Sequence, residues 1–149
     1  MTDLDDLYSS RILELGAHIS HNGTLAKPDA TASARSKLCG SEVSVGLAFG
    51  PDGRVCDYAQ EVKACLLGQA AASVMGREIV GSTAAELRAL RDTMRAMLKD
   101  GGPAPTGRWA DLAVLMPVRD YRLRHDAVMI IFDAVCAALD QAGEKAKVA

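Results

Sequence analysis

The chain has 149 residues, of which 49% are hydrophobic and 24% charged, with a formal net charge of −2. That length suits one domain, residues 1–149, with a real core and excludes two comfortable ones, and the near-neutral charge argues against nucleic acid or an anionic membrane as the main partner. No apolar run reaches the roughly 18–20 residues that span a bilayer.

The opening MTDLDDLY is acidic and lacks the basic and apolar regions of a signal peptide. A cytoplasmic protein is expected, and in a reducing compartment its four cysteines read as thiols or metal ligands rather than disulfides. Asp3 can cap a first helix with Asp6 in its first turn, and Leu4, Tyr8, Ile12, Leu15 and Ile19 recur at helical spacing. Residues 21–29, HNGTLAKPD, break that pattern and read as a loop. Residues 32–38 are short and strand-like. Val43, Val45, Leu47 and Phe49 alternate with Ser44, Gly46 and Ala48, a period of two. GPDG at 50–53 is a turn, and RVCDYA after it reads as the return strand.

The second half is helical in pattern. Residues 65–75 are rich in small side chains, so another element is expected to pack closely on them. Thr83 with Glu86 makes a capping box, and Leu87, Leu90, Met94 and Met97 follow at helical spacing until DGGP at 100–103. A short segment around 109–116 ends at Pro117. The last helix is expected over 121–139, with Val128, Ile131, Phe132, Val135 and Leu139 as its buried face and fraying from Gln141. One helix, a small antiparallel sheet and then helices make an α+β domain.

A hairpin closing on residues 50–53 pairs residues whose numbers sum to about 103, by counting outward from the turn. Cys39 and Cys65 then both emerge at the open end of the hairpin. Cys56, about six residues down the strand, lies about 20 Å away. Cys136 sits among the apolar positions of the last helix. Cys56 and Cys136 are therefore expected to be small buried hydrophobes. Cys65 falls near a helix N-terminus, where the backbone dipole favours a thiolate, and Gly40 after Cys39 permits a tight turn. This chemistry suits a soft metal, an iron–sulfur cluster or persulfide sulfur. No ATP-binding loop, serine-type triad or dinucleotide fingerprint is present, so common enzyme classes have little support.

HNGTL in the first loop, LCG before the hairpin, PDGRV within it, CLLGQAAAS on the helix and PVRDYRLRHDAV at 117–128 follow one another in order. With these motifs the chain resembles the IscU/NifU/SufU family of iron–sulfur cluster assembly scaffolds, with spacing closer to the SufU branch. The resemblance implies a three-stranded antiparallel sheet with helices packed against it. It also implies sulfur supply from a cysteine desulfurase and delivery of clusters to apo iron–sulfur proteins. Family members carry three cysteines at one end of the fold, usually with an aspartate soon after the first. The first two correspond to Cys39 and Cys65, and the aspartate position is Ser41. The third position falls at Arg122 when counted from PVR, or at Ala127 when the following apolar helix is matched through Phe132; the helix match is preferred. LMPVR at 115–119 resembles the chaperone-binding motif of IscU only faintly and reads better as a Pro-containing loop.

A four-coordinate zinc or cluster iron needs four donors, and two cysteines supply two. His125 and Asp126 lie beside the vacant position and Glu42 near Cys39. His125 is the best substitute, because imidazole binds zinc and replaces thiolate in some clusters. Successive helical residues point about 100° apart, so His125 and Asp126 reach the site only if the helix starts late or shifts register. His18 and His21 are taken as structural or solvent-exposed. Three readings stay open. The first is a scaffold that holds iron or a labile [2Fe-2S] cluster through Cys39 and Cys65, with a homodimer as an option. The second is a zinc-supported sulfur acceptor for the desulfurase, with Cys65 or Cys39 taking the persulfide. The third is a metal-free adaptor that kept the fold.

Overall fold

The computed structural model describes residues 9–148, with side chains described as far as Gly143. Helix α1 is Ser10–Ala17; the Ser9 hydroxyl caps it by accepting from the Ile12 N–H at 3.3 Å, and Ile12 and Leu15 enter the core. The helix is shorter than the spacing predicts. Ile19 falls beyond its C-cap, His18, while Asp3, Leu4, Asp6 and Tyr8 lie outside the described residues.

Strands β1 (Ala30–Arg35), β2 (Glu42–Phe49) and β3 (Val55–Lys63) form an antiparallel sheet in that order. Val43, Val45 and Leu47 are buried in the helix-facing core, as the period of two requires, while Leu25 and Pro28 of the first loop cover Gly46. The β2–β3 register differs from the expected one by two residues: Glu42 pairs with Lys63 and Leu47 with Tyr58. The cause lies at the turn. Gly50 N–H bonds the Arg54 carbonyl at 2.9 Å, which makes the loop longer than residues 50–53, and the register slips again at Ala48/Phe49. Cys56 is the extra residue of that β-bulge, and it is exposed rather than buried. A two-residue slip leaves every side chain on its expected face.

Helix α2 (Leu66–Glu78) runs from the end of β3, and α3 is Ala84–Lys99. Thr83 Oγ1 accepts from Glu86 N–H at 3.1 Å, but the Glu86 carboxylate turns to Arg108 at 2.8 Å, so only half of the capping box forms. Turns of 3₁₀ type cover Gly107–Asp120, running through Pro117, and Arg122–Arg124. Helix α4, His125–Val148, lies across β1 and β2 with α3 along it. It continues past Gln141 instead of fraying there: the Gln141 side chain accepts from Thr31 N–H at 2.8 Å and Ala142 packs on the core. Cys136 is buried in α4, as expected. Among the described residues no helix is long and apolar enough to cross a membrane.

The small residues of α2 admit close neighbours, as the sequence predicts. A Cβ at Gly16 would stand 2.6 Å from Leu66, and one at Gly68 would stand 2.9 Å from the Ala127 carbonyl oxygen. Both α1 and the start of α4 therefore rest directly on the first turn of α2.

Candidate functional site

The loop from Ser36 to Ser41 closes on itself, with Ser36 N–H donating to the Ser41 carbonyl at 2.8 Å and Gly40 N–H to the Ser36 carbonyl at 3.0 Å. Gly40 turns the chain with φ of +74°, a conformation open to glycine. This small loop presents Cys39 to solvent beside the last β2–β3 pair, Glu42 and Lys63. Two residues on, Cys65 ends the strand connection and serves as the N-cap of α2. Its side chain makes no capping hydrogen bond, so the thiol stays available and exposed.

Ser41 ties the two cysteines together. Its buried hydroxyl oxygen accepts from the Cys39 Sγ–H at 3.0 Å and from the Cys65 backbone N–H at 3.3 Å. Cys39 and the Cys65 backbone thus share one oxygen atom. Once the sulfur ionises, the hydroxyls of Ser36 and then Ser41 can turn their own protons to it, which holds the Cys39 thiol below its ordinary range. Burial pushes the Cys136 thiol the other way, and its Sγ lies 3.9 Å from the Leu87 carbonyl. The four thiols are therefore not equivalent: two exposed ones share a loop end, one sits in a bulge and one is part of the core.

Ala127 is buried, and its carbonyl oxygen rests on Gly68, three residues after Cys65. The start of α4 therefore lies against the turn that Cys65 opens. His125 and Asp126 precede it by two residues and one. His125 is buried, and its Nε2 lies 3.0 Å from the Val118 carbonyl and 3.1 Å from that of Arg119. Two acceptors at one nitrogen require that Nε2 carry the proton. His125 and the exposed Asp126 line a pocket of about 570 Å³ with Leu98, Lys99, Gly101, Arg119 and Arg122; neither cysteine lines it. Among the described residues no three His, Cys, Asp or Glu side chains stand together as a ligand set. Among the described residues a resident four-coordinate zinc therefore finds the two thiols and no third donor.

The sequence motifs around the site have structural work. HNGTL is held to the edge of β3 by Gln60: Gln60 N–H donates to the His21 carbonyl at 2.9 Å and Gly23 N–H to the Gln60 carbonyl at 2.9 Å. The fully buried Gln60 amide receives the Tyr58 hydroxyl at 2.7 Å and donates to the carbonyls of Ser20 at 3.0 Å and Ala72 at 3.1 Å. Exposed His21 sits at φ of +59° with its ring edge-on to Tyr58, and exposed His18 contacts the Glu14 carbonyl, as a structural reading of both expects. In the LMPVR segment Arg119 donates to the Met97 and Gly102 carbonyls at 2.8 Å each, closing the C-terminal end of α3. Sequence reasoning singled out neither Ser36 nor Gln60, because a serine and a glutamine carry no signal until their neighbours in space are known.

Comparison with solved structures places this geometry in context. A crystal structure of a nitrogen-fixing NifU-like protein (N-terminal) from Brucella abortus is 54% identical, with a TM-score of 0.92, and the match covers 95% of this chain and 98% of that one. A putative iron–sulfur cluster assembly scaffold protein for the SUF system from Fervidobacterium islandicum shares the fold at 20% identity and a TM-score of 0.82, covering 92% of this chain and 99% of that one. No curated protein sequence matches the chain. Residues 7–127 match the NifU-like N terminal domain family, so the match takes in all of α1 and ends at the alanine on Gly68, and the chain belongs to that family.

Proposed function

We propose that the protein, with residues 1–149 acting as one domain, is an iron–sulfur cluster assembly scaffold. Iron or a labile [2Fe-2S] cluster is its cargo, held through Cys39 and Cys65 and passed on to apo iron–sulfur proteins. The observation that carries this reading is the pair of exposed cysteines joined through Ser41, at the open end of the sheet in a NifU-like fold. A soft, exposed donor pair suits transfer: thiolates bind iron well, and solvent access leaves room for an acceptor's own cysteines to displace them.

Sulfur reaches such a site from a cysteine desulfurase, and the Ser36 and Ser41 hydroxyls, which favour the Cys39 thiolate, make Cys39 a suitable first acceptor. The Cys39 thiolate attacks the outer sulfur of the enzyme's persulfide. An S–S bond forms at Cys39, the enzyme's S–S bond breaks, and its cysteine leaves as thiolate with no net oxidation. This makes the chain a carrier that works in a reducing compartment such as the cytoplasm. The zinc-supported variant of this reading would use the same two thiols and has no third donor among the described residues, and the missing third cysteine is the single point in favour of a metal-free adaptor.

The test is transfer. The reconstituted protein is mixed with an apo-ferredoxin and the ferredoxin's visible circular dichroism is followed. The scaffold reading expects cluster transfer from wild type and none from Cys39→Ala or Cys65→Ala. Equal transfer from all three, at the rate of free iron and sulfide, would refute it.

A further inference from the structure

We infer that the pocket between the end of α3 and the start of α4 binds a small organic oxyanion that also carries a hydroxyl, either a hydroxy-carboxylate or a phosphate ester. The inference stands on residues outside the cysteine pair and does not depend on the scaffold reading.

The pocket holds about 570 Å³, a size that suits a small organic molecule better than a single inorganic ion. Three cations line it, Lys99, Arg119 and Arg122, against one carboxylate, Asp126. Among the described residues no carboxylate stands within ion-pair distance of any of the three. Arg11, Arg54, Arg77, Arg88, Arg95 and Arg108, by contrast, each pair with an Asp or Glu. Positive charge is therefore left uncompensated at this one concavity, where an anion can offset it.

Arg119 is fixed there without being neutralised. Its Nε and Nη2 donate to the Met97 and Gly102 carbonyls at 2.8 Å each, and its Nη1 meets no protein acceptor. A guanidinium already held in one rotamer is a preorganised donor, so a ligand loses little ordering entropy in meeting it. His125 is the second anchor. It is 6% exposed, and its Nε2 proton is shared by the Val118 and Arg119 carbonyls, which leaves Nδ1 as an acceptor. Nδ1 has no protein partner, yet it is not sealed from solvent, and the side chain that bears it lines the pocket. A ligand hydroxyl can donate to that nitrogen, and an oxyanion without one cannot. His125 and Asp126 also open the 24-residue α4, so the positive end of the helix dipole adds to the field. The cations thus select an oxyanion and His125 selects a hydroxylated one. Neither cysteine lines the pocket, so a ligand here leaves both thiols free.

Isothermal titration calorimetry on the full chain as purified, at low ionic strength, tests this with two pairs of probes. Citrate is set against tricarballylate, which is citrate without its hydroxyl, and glycerol 3-phosphate against propyl phosphate, which lacks the two hydroxyls. The expected result is saturable binding of one citrate or one glycerol 3-phosphate per chain, several-fold tighter than its unhydroxylated counterpart; whichever binds identifies the source of the oxyanion. Lys99→Gln combined with Arg122→Gln changes two exposed side chains and should weaken binding about tenfold. Lys27→Gln, an exposed lysine outside the pocket, should leave it unchanged, and Asp126→Asn should tighten it several-fold. Cys39→Ala combined with Cys65→Ala should bind as wild type does, which separates this site from the cargo site. No saturable binding of either hydroxylated probe would overturn the inference. So would an equal loss in Lys27→Gln and in the pocket variant, equal affinity for the unhydroxylated counterpart, or binding that vanishes with the two cysteines.

Discussion

Replacing Gln60 by leucine keeps the volume and removes the amide at the point where the first loop, β3 and α2 meet. The Tyr58 hydroxyl, now 2.7 Å from the amide oxygen, loses its acceptor, and the Ser20 carbonyl loses a donor at 3.0 Å. The Ala72 carbonyl keeps its place in the α2 ladder. The orphaned Tyr58 hydroxyl is buried and costs about 1–3 kcal/mol, while the Ser20 carbonyl, on an exposed residue, can turn to water and adds less. Leucine recovers part of this as apolar burial, leaving a loss of about 1–3 kcal/mol. For a chain of this size that lowers Tm by roughly 3–10 °C. Tyr58→Phe alone strands only the amide oxygen and costs about 1–2 kcal/mol. In the double variant the stranded hydroxyl is absent, so the two losses sum to less than their separate values by about 1–2 kcal/mol. Urea unfolding followed by far-UV circular dichroism measures all four proteins. Additivity within about 0.5 kcal/mol, or a Gln60→Leu loss under 1 kcal/mol, would refute the network as drawn.

The Ser41 hydroxyl lowers the Cys39 thiol, so Ser41→Ala should raise its pKa toward the ordinary 9.0 and slow alkylation of Cys39 near neutral pH several-fold; unchanged kinetics would contradict the bond. The sign for stability follows: a depressed thiol stabilises the fold above its unfolded value and that contribution is lost as pH falls through the folded one. Gly68→Ala gains about 1 kcal/mol of helix propensity but drives a methyl onto the Ala127 carbonyl, for a net loss of about 1–2 kcal/mol by thermal melting. Arg119→Ala should cost about 2 kcal/mol, read by urea unfolding, as two charge-assisted bonds at the end of α3 disappear. Arg77, then Arg11, holds the Asp111 carboxyl below its ordinary 3.8, so its stabilisation is lost only as pH falls below that value. Asp111→Asn should flatten this acid limb, and an unchanged acid-unfolding midpoint would count against the pair.

The sheet was legible because β2 alternates cleanly and the small residues of α2 announce close neighbours. The register was not, because GPDG looks like a four-residue turn while the fifth loop residue and the Cys56 bulge become visible only when the strands pair. The bulge also explains why Cys56 is exposed: an extra residue turns out of the ladder. The last helix was placed too early because residues 121–124 share its apolar and basic pattern, yet they form 3₁₀ turns whose carbonyls engage locally. Cys39 and Cys65 were legible as a pair from their distance to the turn. The work of Ser41 was not, since a serine in the place of an aspartate reads as a loss until its oxygen is seen between both cysteines. His125 read as a candidate ligand because it stands beside the vacant third position; the carbonyls that hold its ring lie six and seven residues away, a local fold that no periodicity reveals.

The central claim is that Cys39 and Cys65 hold the cargo. Iron, acid-labile sulfide and zinc per chain should be measured on anaerobically prepared, reconstituted protein, for wild type and each of the four cysteine-to-alanine variants. The account predicts iron and sulfide in equal amounts in wild type, Cys56→Ala and Cys136→Ala, and neither in Cys39→Ala nor Cys65→Ala. Retention of iron and sulfide in both of the latter, or their loss on removing Cys56, would contradict it.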